Sequence, residues 1–293
     1  MKAVLIATDF SDASRNAALY GLELARAMKA TAVLFHAYEN PVFAPDAIII
    51  SSFGNMGKIA GEQLVKESNR IAAENSYPFE TCCEEGSPAQ AIMKKADEID
   101  ASLIITGFKI AGKTIRQIFG STVTSLTKHS AKTVLIVPEQ AKFSIPDSIV
   151  FANDLSVYTD IHVLDDLKAI AEHFKARLFV VKVVKNKSAG WHEAMTTPET
   201  LLMSVRKIDS EFDYPVGKDI VYTLNEFTEK HRVKMVAMMP HKHFWTDAFF
   251  GKRNTSAMVF HTKIPLLILP EKDYNDLFRQ MKTDNKVPQG LLM

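Results

Sequence analysis

Leu103-Ile104-Ile105-Thr106 is a short apolar stretch that runs into a glycine-bearing segment ending on Gly120-Ser121. This order suits an anion. Glycines let backbone N–H groups approach phosphate oxygens, and the N-terminus of a following helix favours negative charge. Gly107 to Thr114 fits the spacing GxxxxGK[ST] after a strand and before a helix, the pattern of a phosphate-cradling loop. In that reading Lys113 reaches the terminal phosphates of a nucleotide and Thr114 holds magnesium. The supporting acid would have to be Asp154, a weak candidate that follows the apolar run Ile149–Ala152.

Other residues with chemical potential carry less. His241-Lys242-His243 has no cysteine and no cluster of carboxylates around it, so a solvated or anion-facing role outweighs metal binding. His129 and His261 precede matching apolar runs, which suits a shared packing role. Cys82 and Cys83 are adjacent on an apolar run, so their side chains should point to opposite faces, and nothing around them marks a lowered pKa. Spacing assembles no Ser/His/Asp or Cys/His grouping. Catalysis therefore has no positive signal, and slow nucleotide hydrolysis is the most that is expected.

The elements that must position these residues occur twice. Val4-Leu5-Ile6-Ala7-Thr8-Asp9-Phe10-Ser11 opens the chain, and Ile149-Val150-Phe151-Ala152-Asn153-Asp154-Leu155-Ser156 opens it again near its middle. HSAKTVLIVPE from His129 is echoed by HTKIPLLILPE from His261. A repeat of this length is a duplicated unit. In the first copy the apolar runs are Ala3–Ala7, Ala32–His36, Phe79–Cys83, Leu103–Thr106 and Val134–Val137. In the second they are Ser148–Ala152, Leu178–Val183, Asp219–Tyr222 or nearby, Met235–Met239 and Leu266–Leu269. Most lack polar alternation, as strands covered on both faces do.

Helical patterns lie between the runs. Ser11–Lys29 has Ser11 or Asp12 as cap, Ala60–Glu74 follows, and Ser87-Pro88 opens a third with a cap and a proline at its first position. Strands alternating with helices predict parallel α/β sheets. Matching residues are further apart at Asp9/Asp154 than at Gly120/Gly251, so the second copy is shorter in its middle. The difference falls in Glu39–Gly61, read as a long loop that either covers a site or packs outside it. Expected units are residues 1–140 and 147–272, joined by a short linker and followed by an extension, 273–293, with one amphipathic helix at Tyr274–Lys282.

With 47% apolar residues, 24% charged and a formal net charge of +1, the bulk composition calls for neither nucleic acid nor an anionic membrane. No apolar run approaches the length of a membrane span. Two adjacent cysteines, no CxxC pair and no secretory pattern at the start point to a reducing cytoplasm.

Taken as a whole, the layout resembles the universal stress protein family in its tandem form. The resemblance rests on Ala7-Thr8-Asp9-Phe10-Ser11, Phe35-His36-Ala37, Glu85-Gly86-Ser87-Pro88, the late strand, loop and Gly-Ser block, and Val134-Leu135-Ile136-Val137-Pro138. It covers nearly all of residues 1–139 and, more faintly, 148–271. It implies two tandem Rossmann-like domains of the adenine nucleotide alpha hydrolase type, with parallel sheets. It also implies pairing through the last strands, so that the two halves form an intrachain pseudo-dimer; association of two whole chains is left open.

ATP-binding members of that family carry G-x2-G-x9-G-[ST]. Gly107, Gly120 and Ser121 fill three of its positions, and Ile110 replaces the second glycine. A β-branched side chain disfavours positive φ and crowds a phosphate, although Gly112 could supply flexibility nearby. By the resemblance, Asp9 lies beside the adenosine, Ala7, Thr8, Ala37 and Thr106 line the base pocket, and Ser121, Thr122 and Val123 face phosphate. Lys109 and Lys113 add charge. The second copy holds Met238, His241, Gly251 and Lys252 at the motif positions, so packing is expected of it rather than nucleotide binding, with Lys252 left open as a residue that could meet an anion. The expected function is a stress-response regulatory module binding ATP or another adenine nucleotide in the first domain, with magnesium as an open companion. A scaffold of the same fold without nucleotide is the alternative, and a P-loop NTPase the third reading.

Overall fold

The computed structural model describes residues 3–40, 56–109, 115–152, 164–239 and 263–270, with the side chains of 115–119 outside that description. Ile110, Gly112, Lys113, Thr114, Asp154, His241–His243, Gly251, Lys252, His261 and the expected C-terminal helix fall outside the described residues, as does 41–55 of the expected loop.

The first half runs β1 (Ala3–Ala7), α1 (Asp12–Met28), β2 (Thr31–Tyr38), α2 (Met56–Glu74), β3 (Glu80–Glu85), α3 (Pro88–Glu98), β4 (Leu103–Phe108), α4 (Ile115–His129) and β5 (Thr133–Pro138). The second runs β6 (Ser148–Ala152), α5 (Asp165–Phe174), β7 (Arg177–Val181), α6 (Lys187–Thr196), α7 (Glu199–Val205), β8 (Ser210–Asp213), α8 (Ile220–Lys230), β9 (Met235–Met238) and β10 (Leu266–Ile268). The described strands form one sheet in the order β3-β2-β1-β4-β5-β10-β9-β6-β7-β8. Neighbours within each half are parallel, and the seam between halves is antiparallel, with Leu266 opposite Ile136 and Ile268 opposite Val134. Each half thus has the same internal order.

The buried strands explain themselves through side-chain alternation. Val4 and Ile6 join Ala17, Ala18 and Leu22 of α1 on one face, while Leu5 and Ala7 join Ile92 of α3 and Val123 and Leu126 of α4 on the other. The second half repeats this: Ile149 and Phe151 meet Leu167 and Ile170 of α5, and Val150 and Ala152 meet Leu224 and Phe227 of α8. Both apolar layers run through both halves.

The repeat extends to the backbone. Lys29 after α1 and Lys175 after α5 are left-handed, at φ 53° and 50°, and so are Asp100 after α3 and Arg232 after α8, at φ 48° and 51°. Each closes its helix at the same point of its copy. A fifth non-glycine residue, Phe10, has φ 67° and lies in the β1–α1 turn.

Two expectations need correction. Asp219–Tyr222 is not a strand: Asp219 caps α8, its Oδ1 accepting from the Tyr222 N–H at 2.9 Å. The strand is Ser210–Asp213, which carries little apolar character because it is the sheet's edge and only partly buried. Gly57 and Gly61 belong to α2 rather than to a loop, and Gly57 lies under Tyr38, whose hydroxyl would be 2.6 Å from an added Cβ.

Candidate functional site

Strand order places β1 beside β4, and the connection leaving β1 runs to β2 on one side while that leaving β4 runs to β5 on the other, which opens a crevice at the carboxyl ends of β1 and β4. A cleft of about 470 Å³ occupies that crevice. Ala7, Thr8 and Asp9 enter it from β1, Ala37 from β2, Thr106, Gly107 and Lys109 from β4, and Gly120, Ser121, Thr122 and Val123 from α4. These are the expected site residues apart from Gly112 and Lys113, which are not among the described residues. Phe35, His36, Pro88, Ile92 and Phe108 also line the cleft, as do Ser11, Ala13 and Ser14 of the α1 start. Their signal was the residue next door: Pro88 opens α3 on the same side of the sheet, and Ser11 and Ser14 follow Asp9 into α1.

The β1–α1 turn is held by short-range hydrogen bonds. The Phe10 N–H donates to Thr8 Oγ1 at 3.1 Å, and the Ser11 N–H donates to Asp9 Oδ1 at 3.0 Å. Ser11 is the N-cap, accepting from the Ser14 N–H at 3.2 Å. His36 Nδ1 lies 2.8 Å from the Thr8 carbonyl, which can only accept, so that ring nitrogen carries the proton. The His36 and Phe10 rings meet tilted at 35°, with centroids 4.2 Å apart, bracing a bulky residue in a left-handed conformation. Burial pushes the Asp9 carboxyl upward, but hydrogen bonds from Ser11 and Ser14 outweigh it and hold the group below the usual aspartate value. An anion therefore stands at the mouth of β1.

On the opposite wall, Gly120 interrupts α4 at φ 70° and ψ 169°. Helical φ/ψ resumes at Ser121, so the start of the resumed segment, Ser121 to Val123, faces the cleft. A Cβ on Gly120 would meet nothing within 4 Å, so glycine is needed there for conformation alone. Gly107 has the opposite cause. A Cβ there would lie 2.3 Å from the Ala13 carbonyl oxygen and 2.8 Å from the Ser14 nitrogen. Its missing side chain answers the close approach of α1 to β4, which accounts for this glycine without a P-loop.

In the second half, Val4 opposite Leu103 corresponds to Ile149 opposite Met235. The register therefore matches Gly107 with Met239, one residue beyond the Met238 that sequence alignment of the copies suggested. Met239 is 5% exposed and belongs to the core.

Cys82 and Cys83 pack against opposite layers, and both are partly buried. Burial raises both thiols, with Glu84 adding to Cys82 and the neighbouring Cys82 adding to Cys83. Among the described residues, no three His, Cys, Asp or Glu side chains group as metal ligands, and no helix is long and apolar enough to cross a membrane.

The universal stress protein family matches residues 1–138. The stress response protein NhaX of Bacillus subtilis is 26% identical, over 46% of this chain and 96% of its own length. Among solved structures, a universal stress protein from Archaeoglobus fulgidus superposes with a TM-score of 0.65 at 16% identity, over 92% of this chain and 98% of that one. A functionally unknown protein from Pseudomonas aeruginosa PAO1 superposes at 0.55 with 12% identity, over 97% and 98%. The full-length likenesses extend the shared fold across both halves, beyond residues 1–138, which match the universal stress protein family.

Proposed function

We propose that the first-half cleft binds an adenine nucleotide, ATP or a relative, and that the protein is a stress-response regulatory module rather than a catalyst. The observation that carries the reading is the break at Gly120, which opens a helix N-terminus onto a cleft whose far wall is the Asp9 turn. Apolar Ala7, Ala37, Pro88 and Ile92 suit a base, Asp9 suits ribose hydroxyls, and Ser121 to Val123 suit phosphate oxygens. Among the described lining residues, none is arranged as a nucleophile with a paired base.

Calorimetric titration with ATP, ADP and AMP, with and without magnesium, tests this. Saturable binding in the wild type, abolished by Gly120→Val, is the expected result, because valine at φ 70° must either strain the backbone or close the break. Absence of binding by all three overturns it. The scaffold reading would then stand, favoured by Ile110 at the motif's second glycine position. Magnesium-dependent hydrolysis lost on Lys113→Ala would instead favour the P-loop.

A further inference from the structure

Lys109 is the one lysine or arginine among the described residues lining the cleft. It does not face the cleft alone. Its Nζ donates to Glu139 Oε1 at 3.2 Å, and Glu139 is not a lining residue but the first one after β5. The Glu139 N–H in turn donates to the Phe108 carbonyl at 3.0 Å, so the acid is fixed beside the end of β4. From there the chain to β6 lies against α1. Asn16 Nδ2 donates to the carbonyls of Pro138 and Ala141, both at 2.9 Å, Ala141 is 1% exposed, and Phe143 meets Tyr20 edge-on at 5.2 Å. The segment joining the halves is thus tied to the same helix whose first turn forms one wall of the cleft, and Glu139 is its side-chain link to the cleft's cation.

Resting on the nucleotide reading above, we propose that Glu139 sets the charge preference of the site by competing with ligand phosphates for Lys109. A neutral ligand leaves the Lys109–Glu139 pair in place. A phosphate chain that extends toward β4 takes Lys109 from Glu139, leaving one carboxylate near the added anion and loosening the joining segment. The site therefore discriminates between adenosine and its polyphosphates by the cost of that exchange. Both partners keep contact with water, Lys109 at 65% and Glu139 at 28% side-chain exposure, so the exchange is reversible and small.

The test titrates adenosine and ATP into the wild type, Glu139→Gln, Lys109→Met and the double variant. Glu139→Gln is expected to tighten ATP about twofold to fivefold, the scale of an exposed ion pair, and to leave adenosine unchanged. In the Lys109→Met background the same change should have little effect, because the competition has no object. Hydrogen exchange in the wild type should rise in residues 139–147 with ATP and not with adenosine. An equal effect of Glu139→Gln on both ligands overturns the proposal. So does an effect that persists without Lys109, which marks plain through-space repulsion, or a joining segment whose exchange ATP does not alter. In each of those cases nucleotide binding itself stands. A wild type that binds neither ligand overturns the nucleotide reading and this proposal with it.

Discussion

Replacing Gly107 by alanine tests the packing that builds the cleft. The added Cβ would lie 2.3 Å from the Ala13 oxygen, 2.5 Å from the Ala13 carbonyl carbon and 2.8 Å from the Ser14 nitrogen. All three are backbone atoms of the first turn of α1, and none can rotate away. Restoring ordinary contact requires α1 and β4 to part by about 1 Å, against a helix whose Ala17, Ala18 and Leu22 are in the core. Overpacking costs about 1–3 kcal/mol where side chains can adjust, so the upper end, about 3 kcal/mol, is expected here. The urea midpoint should fall at unchanged slope. Nucleotide affinity should fall too, because Asp9, Ser11 and Ser14 move with the turn. Gly21→Ala is the control. Its Cβ would lie 3.0 Å from the Cδ1 atoms of Ile105 and Ile6, the free ends of side chains, and alanine favours the helix by about 1 kcal/mol, so the variant should be near neutral. A Gly107→Ala protein within about 0.5 kcal/mol of wild type would refute the reasoning. Rescue by Ala13→Gly would refute it as well, since the contact is with backbone and trimming that side chain removes none of it.

Arg15 holds the 3%-exposed Glu67 of α2 through Nε at 2.7 Å and Nη2 at 3.0 Å, with Arg70 more distant at 3.8 Å. Arg15→Met should cost about 3 kcal/mol in urea unfolding, and Arg15→Met with Glu67→Met should recover most of it; a double variant as weak as the single one would count against a desolvated carboxylate as the cause. Asp9, whose folded-state pKa is lowered, contributes stability above the unfolded aspartate value of about 3.9 that is lost as pH falls through the folded value. The stability gap between wild type and Asp9→Asn should therefore be flat near neutrality and shrink below about pH 4; a gap that widens on acidification contradicts the assignment. A chain ending before β6 would bare β5, all of whose residues are buried, and should self-associate in light scattering, whereas a monodisperse monomer would argue that the seam is dispensable.

The strands with two covered faces were legible because their apolar runs are unbroken, and β1 and β6 agree with the sequence reading residue for residue. The edge strand β8 was not, because SEFD has one phenylalanine and no run, while the β-branched Ile220-Val221 that imitated a strand is the first turn of a capped helix. Cleft residues supplied by motif positions were legible. His36 and Phe10 were not named as site residues, because their contribution is a tilted ring contact and a hydrogen bond to a carbonyl across two strands, which no one-dimensional spacing encodes.

The two copies also separate what the fold needs from what the site needs. Both end their first helix on a left-handed lysine and their third-strand crossover helix beside a left-handed residue, so those caps belong to the architecture. At the position of Gly107 the second copy places a buried Met239 in the same sheet order. A side chain is therefore compatible with this strand position as such. Glycine is required in the first copy because α1 descends onto β4 until backbone meets backbone, and that descent carries the Asp9 turn, Ser11 and Ser14 to within one cleft of Thr106, Lys109 and the Gly120 break. Gly120 adds the other half, a left-handed interruption that a continuous helix would not need. The two glycines act by different physics, one by absence of volume and one by freedom of φ, and both bear on the same space. That convergence in the first copy, with the sheet order repeated in the second, is why the ligand site proposed above lies in the first half.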